Sequence, residues 1–516
     1  MSTHGSRNRI AGGLIASALL AAPAAALAEP VARDKVLAAL PKLEEMARTA
    51  VERDDVPGLA IAVVQGDDVL FVKGFGVREA GKAGQVGPDT VFQLASFSKP
   101  ISATVVAAIV GQKRVAWDSK IADLDPAFRL ADAYPTSVLT VEDLFNHRSG
   151  LPGLAGNELE DLGYDQAEIL HRLRLVPLDG FRSHYSYSNF GLTEGAVAVA
   201  KSLGIAWPDL AEETLYRPLG MSATSSRYAD FLKHEDRSEL HVKIDGEWTA
   251  AVKRLPDAQA PAGGVSSTAH DLATWLKLEI NNGRVGGEQF IAEDALAATH
   301  QPLMDRGKNP VTGAQSFYGL GWNIEYGRHG LSWGHAGAFS TGARTLVTIL
   351  PEEKLGIVVL ANAFPTGLPE GLADSFFDLA LDGKIEKDWI KDWDAAYSGL
   401  FDPAVKASEA RFAHPPQPAL PPLALTAYAG RYANDYIGAA TVSQEGDSLV
   451  LALGPEGKRR FALTPFTRDT FLMYSAAEMP TFRSTVTFAI GPDGKAETVR
   501  VESLDDLGLG TLKRTE

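Results

Sequence analysis

Ser96-Phe97-Ser98-Lys99 sets a hydroxyl and an amine three positions apart, just ahead of an apolar run at 101–110 that fits a buried helix. On a helix, side chains at i and i+3 share a face, so Lys99 can take the proton of Ser96 without a relay through solvent. That is the Ser-x-x-Lys arrangement of acyl-transfer chemistry. Ser98 is the rival nucleophile, but it adjoins Lys99, and neighbouring helical side chains diverge by about 100°. A serine at a helix start is most often a cap; the same position leaves its backbone N–H free to face an oxyanion, so the two roles are compatible. For Lys99 to act as a base its amine must be neutral, which burial and a nearby cation would favour by lowering its pKa. Pro100 suits the first turn of such a helix. A two-residue pattern arises by chance roughly once or twice in a chain of this length, so it needs company.

Two segments supply it. Tyr187-Ser188-Asn189 lies in a polar, aromatic stretch at 184–190, and His335-Ala336-Gly337 lies in a β-like stretch at 331–337. In this order, Ser-x-x-Lys, Tyr-x-Asn and His-x-Gly resemble the motifs of the penicillin-recognising serine hydrolases. That family includes class C β-lactamases, D-aminopeptidases, β-lactamase-like carboxylesterases and related peptidases. The text around the motifs agrees: Phe92-Gln93-Leu94-Ala95, Leu144-Phe145-Asn146-His147-Arg148-Ser149-Gly150-Leu151-Pro152-Gly153, Tyr216-Arg217-Pro218-Leu219-Gly220-Met221 and Pro261-Ala262-Gly263-Gly264-Val265-Ser266-Ser267-Thr268. The resemblance spans most of 33–385.

The resemblance implies that Ser96, Lys99 and Tyr187 are catalytic, the phenol passing a proton to or from the leaving group. Tyr185 is a near neighbour, and only the asparagine two positions on selects Tyr187. Asn189 would hold Lys99 or a substrate amide by hydrogen bonds. His335 stands where β-lactamases usually carry lysine, the form seen in D-aminopeptidase-like and some esterase-like relatives. Because imidazole titrates near neutrality, His335 is expected to shape the pH–rate profile between about pH 5 and 8. Gly337 is expected to let a substrate backbone approach closely. The backbone N–H of Ala338 is a second oxyanion donor by its position in the family. His147 and Arg148 are read as shaping the fold beside the site.

Other chemistries lack their patterns. The eleven histidines show no His-Glu-x-x-His spacing; the Gly-x-x-x-x-Gly-Lys letters at 76–82 are followed by Ala83 where a phosphate-binding loop needs Ser or Thr, and the Gly-x-Ser-x-Gly letters at 330–334 fall in a β-like stretch and not at a strand-to-helix elbow. Neither metal nor cofactor is expected. The chain has no cysteine, which removes thiol catalysis and means that its core, not disulfides, must hold it. A formal charge of −16 would repel nucleic acid and anionic lipid. Residues 1–28 read as a secretory signal: Arg7 and Arg9, an apolar stretch at 10–22, then Ala26-Leu27-Ala28. The expected location is the periplasm or the exterior, with no stable membrane insertion after cleavage.

The elements that must position the motifs follow from periodicity. Residues 31–53 carry apolar side chains at three- and four-residue spacings, a helix. Residues 59–64 and 69–75 flank Gln65-Gly66-Asp67-Asp68 as a hairpin. The middle, 101–281, reads as helices and loops, with Thr268 and Asp271 as a helix cap before 272–278. Strands return at 322–326, 331–337, 344–350 and 355–360, too closely spaced for crossover helices and therefore antiparallel. Strands on both sides of a helical block give an α+β plan, a β-lactamase/transpeptidase-like antiparallel sheet flanked by helices. Substrate specificity is assigned to loops at 153–165 and 304–315.

With 516 residues, 45% of them hydrophobic, two domains are the default. The expected hydrolase domain is 29–385, followed by a helical and Pro-rich linker at 386–424. The last unit, 425–516, is a run of short strands and turns, a small antiparallel β barrel or sandwich. Its opening, Tyr428-Ala429-Gly430-Arg431-Tyr432, resembles the lipocalin-like domain of some peptidases in this family. A unit held off by a stiff linker is expected to restrict substrate entry or to build a homo-oligomer, with an independent stabilising appendage as the alternative. The leading expectation is an exported serine hydrolase that cleaves amide bonds of short peptides, D-amino-acid peptides included, through a Ser96 acyl-enzyme. A carboxylesterase or weak β-lactamase is the alternative. A non-catalytic sensor that binds penicillin or peptides is the alternative of another class.

Overall fold

The computed structural model describes residues 29–476 and 482–516. The expected signal, 1–28, lies outside the described residues. Two strands, β1 (Gly58–Gln65) and β2 (Asp68–Gly76), form the first hairpin. Six more follow the helical block: β3 (Met304–Lys308), β4 (Gln315–Tyr318), β5 (Asn323–Gly327), β6 (Gly330–Phe339), β7 (Ala343–Leu350) and β8 (Leu355–Ala361). They make one antiparallel sheet in the order β2-β1-β8-β7-β6-β5-β4-β3.

Its centre joins the two ends of the hydrolase unit, with Leu59 opposite Ala361 and Gln65 opposite Leu355. Both strands are apolar because both faces of the sheet are covered. Side chains alternate between those faces. Leu59, Ile61 and Val63 pack with Leu43 of the helix Arg33–Glu52 and Phe376 of the helix Leu368–Asp382. Ala60, Ala62 and Val64 belong to the other core, with Ile101 and Val105. Those two lie on the helix Ser98–Gly111, buried from Ser98 through Ile109, as a helix apolar all round must be. Thr268 caps the helix Ala269–Ile280, accepting from the Asp271 N–H at 3.0 Å.

Three expectations are corrected. The stretch 304–315 is not simply a loop, because Met304–Lys308 is the edge strand of the sheet. Its Asp305, Arg306 and Lys308 face solvent, so no apolar alternation marked it. The expected linker is helical in its first part, as read, but it does not stand free: the helix Trp389–Phe412 is docked along Leu368–Asp382. Trp389 Nε1 donates to Asp378 at 2.8 Å, Trp393 Nε1 to Asp374 at 2.8 Å and the Tyr397 hydroxyl to Glu370 at 2.9 Å.

The third correction concerns the C-terminal unit, which is not held at a distance. Eight strands, from Gly430–Asn434 to Thr511–Arg514, close into a barrel in which the last pairs with the first, Tyr432 opposite Arg514. Aromatic rings fill its interior, with Tyr428 and Phe488 centroids 4.9 Å apart and Phe471 against both. The barrel packs directly on the hydrolase, and its Tyr436 and Ile437 share one continuous core with Leu159 and Leu162. The short last strand, four residues with one buried apolar side chain, left no periodic signal.

Candidate active site

Ser96 lies in a single tight turn, Ala95–Phe97, immediately before the helix Ser98–Gly111, one turn ahead of the helix itself. The turn is held from two sides. Phe92–Gln93 pairs with Ser266–Ser267, Leu94 N donates to Val265 O at 2.9 Å, and Ser98 Oγ accepts from Val265 N at 3.0 Å. Ser98 is thereby turned away from the site and occupied. Ala95, fully buried, adopts φ +50°, a left-handed conformation that costs an alanine energy and persists only where packing enforces it.

Lys99 is 0% exposed. Its Nζ lies 2.9 Å from Ser96 Oγ and donates to Asn189 Oδ1 at 2.8 Å and Ala262 O at 2.9 Å. Burial holds its pKa well below the usual 10.5. A neutral amine has two N–H groups and one lone pair, which matches two pure acceptors and one hydroxyl able to donate. The Tyr187 hydroxyl donates to Ser96 Oγ at 2.8 Å, and its ring lies 4.6 Å from Lys99 Nζ. Burial first, and the neighbouring Tyr185 to a smaller degree, raise the phenol, while its hydrogen bond to Ser96 works against them. Asn189 opens the helix Asn189–Ser202, capped by Ser188, whose Oγ accepts from Gly191 N at 3.0 Å.

His335 sits on β6 beside this group, 5% exposed, with both ring nitrogens engaged. Nδ1 donates to Ala336 O at 2.7 Å, and Nε2 accepts from the Tyr318 hydroxyl at 3.0 Å. Burial above all holds its pKa well below 6.5. Burial of the imidazole thus works against the expected titration near neutrality.

Gly337 also has another reason than the one expected. A Cβ there would stand 2.1 Å from Leu94 O and 2.9 Å from Phe97 N, so the close approach is made by the turn carrying Ser96. Thr345, opposite Gly337 on β7, donates its hydroxyl to Leu94 O at 2.6 Å and fastens the same turn. Ala338 follows on β6, opposite Arg344.

His147 is buried with φ +60°, its Nδ1 accepting from Ser188 N at 3.1 Å and its ring 4.6 Å from Tyr187 and 4.8 Å from Tyr318. Arg148 pairs with Asp143 at 2.7 Å and Glu142 at 2.9 Å, away from Ser96. Sequence reasoning missed Ala262 as an acceptor for Lys99, Tyr318 as the partner of His335, and Asn157, whose Oδ1 accepts from Asn189 Nδ2 at 3.4 Å. The Pro261–Thr268 text was one available signal for the first; the others carried none. Elsewhere, His329, Asp378 and Asp382 converge, but Arg328 pairs with both aspartates and already supplies the cation.

The family model described as Beta-lactamase matches residues 43–378, and the domain of unknown function DUF3471 matches 414–510. An unguisins hydrolase of Aspergillus campestris is 24% identical over 490 residues, 89% of this chain and 88% of its own length. Penicillin-binding protein 4 of Amycolatopsis lactamdurans is 28% identical over 335 residues, 62% of this chain and 83% of its own. The solved octameric penicillin-binding protein homologue of Pyrococcus abyssi shares the fold over 90% of this chain and 98% of its own, at 20% identity and a TM-score of 0.58. The protein is a serine hydrolase built on a helix-flanked antiparallel sheet with an appended barrel. It belongs to the β-lactamase family.

Proposed function

We propose that Ser96 is the nucleophile of an acyl-enzyme reaction on amide bonds of short peptides, D-amino-acid peptides included. The observation that carries this reading is the single oxygen, Ser96 Oγ, shared by a desolvated lysine at 2.9 Å and a tyrosine hydroxyl at 2.8 Å. The neutral Lys99 amine takes the Ser96 proton as Oγ attacks the carbonyl carbon, and the resulting ammonium keeps Asn189 Oδ1 and Ala262 O as acceptors. The tetrahedral oxyanion is received by the backbone N–H groups of Ser96 and Ala338. Tyr187 gives its phenol proton to the leaving amine as it takes up the one that Lys99 gained from Ser96, so phenol and lysine both end neutral. Water then hydrolyses the ester formed on Ser96 by the same steps in reverse.

Hydrolase chemistry is supported by the name of one relative, an unguisins hydrolase, and the penicillin-recognising reading by that of another, a penicillin-binding protein. Export fits the apolar leader at 1–28, and no helix among the described residues is long and apolar enough to cross a membrane. The division into two units is supported by the family matches over 43–378 and 414–510, the second of which begins within the expected linker 386–424. The test is a panel of D- and L-aminoacyl amides, p-nitrophenyl esters and a chromogenic cephalosporin, with a fluorophosphonate probe. Ser96→Ala is expected to abolish labelling and turnover together. Label retained by that variant removes Ser96 as nucleophile, and a wild type that acylates without turning over any substrate favours a penicillin-binding sensor.

A further inference from the structure

The C-terminal barrel reaches the site through one short helix, Asn157–Asp161. In the barrel's first hairpin, the turn after Gly430–Asn434 carries Tyr436, 2% exposed. Its hydroxyl accepts from Gly156 N at 3.2 Å and donates to the Glu158 carboxylate, so it grips both sides of Asn157. Two further bonds fix the same turn on the hydrolase: Arg172 donates to Tyr436 O at 2.5 Å and the Tyr164 hydroxyl to Ile437 O at 2.8 Å. The surfaces meet without slack, since a Cβ on Gly438 would stand 2.4 Å from the Tyr164 hydroxyl and one on Gly454 would stand 2.2 Å from Leu162 O.

The gripped helix in turn touches the supports of both Lys99 acceptors. Asn157 Oδ1 accepts from Asn189 Nδ2 at 3.4 Å, which orients that amide with Oδ1 toward Lys99. Glu160 accepts from Gln259 Nε2, and Gln259 directly precedes the helix Ala260–Gly263, whose Ala262 O takes the second Lys99 N–H. Just before the gripped helix, Leu154 N donates to Tyr187 O at 3.1 Å.

Resting on the catalytic reading of Ser96 and Lys99, we propose that Tyr436 is a positioning residue, and the barrel a working part of the active site. Its hydroxyl sets the 154–161 segment, which holds Asn189, Ala262 and Tyr187 where Lys99 and Ser96 need them. Such a shell acts on the rate of the chemical step more than on binding, because it fixes the reacting groups and touches no substrate.

Tyr436→Phe keeps the ring and removes the grip. The experiment measures kcat and KM for a small p-nitrophenyl ester and the fluorophosphonate labelling rate, in the full chain. Val499→Ala, which opens a cavity in the barrel core and leaves the Tyr436 hydroxyl and its partners in place, serves as the destabilised comparison. Tyr436→Phe is expected to lower kcat and the labelling rate about tenfold with KM within about twofold, while Val499→Ala keeps kcat within about twofold although it melts earlier. Unchanged kcat in Tyr436→Phe, or an equal loss in Val499→Ala, overturns the inference while Ser96-dependent labelling keeps the hydrolase reading intact. Labelling that survives Ser96→Ala overturns both.

Discussion

Gly337→Ala tests whether the sheet sets the position of Ser96, the proposed nucleophile. The added methyl would stand 2.1 Å from Leu94 O, 2.4 Å from Thr345 Oγ1 and 2.9 Å from Phe97 N, whereas ordinary contact begins near 3.4 Å. Two of the three neighbours are backbone atoms, so no side-chain rotation relieves the clash. Strand β6 and the Ala95–Phe97 turn must separate by about 1 Å, a displacement that costs about 10²-fold where reacting groups must align. Thr345 also has to give up or lengthen its 2.6 Å bond to Leu94 O. Overpacking of this kind destabilises by about 1–3 kcal/mol, so the variant should fold and melt a few degrees lower. The assay is ester turnover together with the second-order labelling rate of Ser96, measured well below the melting transition. A variant that labels at close to the wild-type rate would refute the reasoning, because it would mean that the turn takes its position from the helix alone.

Two further predictions concern titration. In Lys99 the folded pKa is depressed below the unfolded 10.5, so the unfolded chain binds more protons throughout the interval between the two values and stability rises with pH there. The melting difference between wild type and Lys99→Met should therefore move in favour of wild type as pH climbs toward 10.5, and a difference independent of pH would mean that Lys99 is not desolvated. For His335, whose pKa lies well below 6.5, the ring resonances in an NMR titration should stay fixed as pH falls from about 8 to about 6; a full titration step in that range would show an imidazole open to solvent.

What the sequence determined about this protein was what short-range geometry determines. Ser96 and Lys99 meet because a helical turn brings i and i+3 together, and they would do so in any fold that kept the turn. The first hairpin, the Thr268 cap and the antiparallel run β5–β8 follow in the same way from periodicity and turn residues. Edge strand β3 escaped because one row of exposed polar side chains has no period to read.

Only the tertiary structure decided the rest. Lys99 finds its backbone acceptor 163 residues away, and Gly156 meets Tyr436 across 280. Contacts at such separations are selected by packing, not by local preference, and no spacing rule encodes them. The same holds for charge: nothing in the letters distinguishes His335 from any other histidine, because its lowered pKa comes first from the burial that β6 and its neighbours impose. Gly337 shows both halves at once. The glycine is plain in the sequence, but what it makes room for, the turn of Ser96, exists only once strand and helix have met.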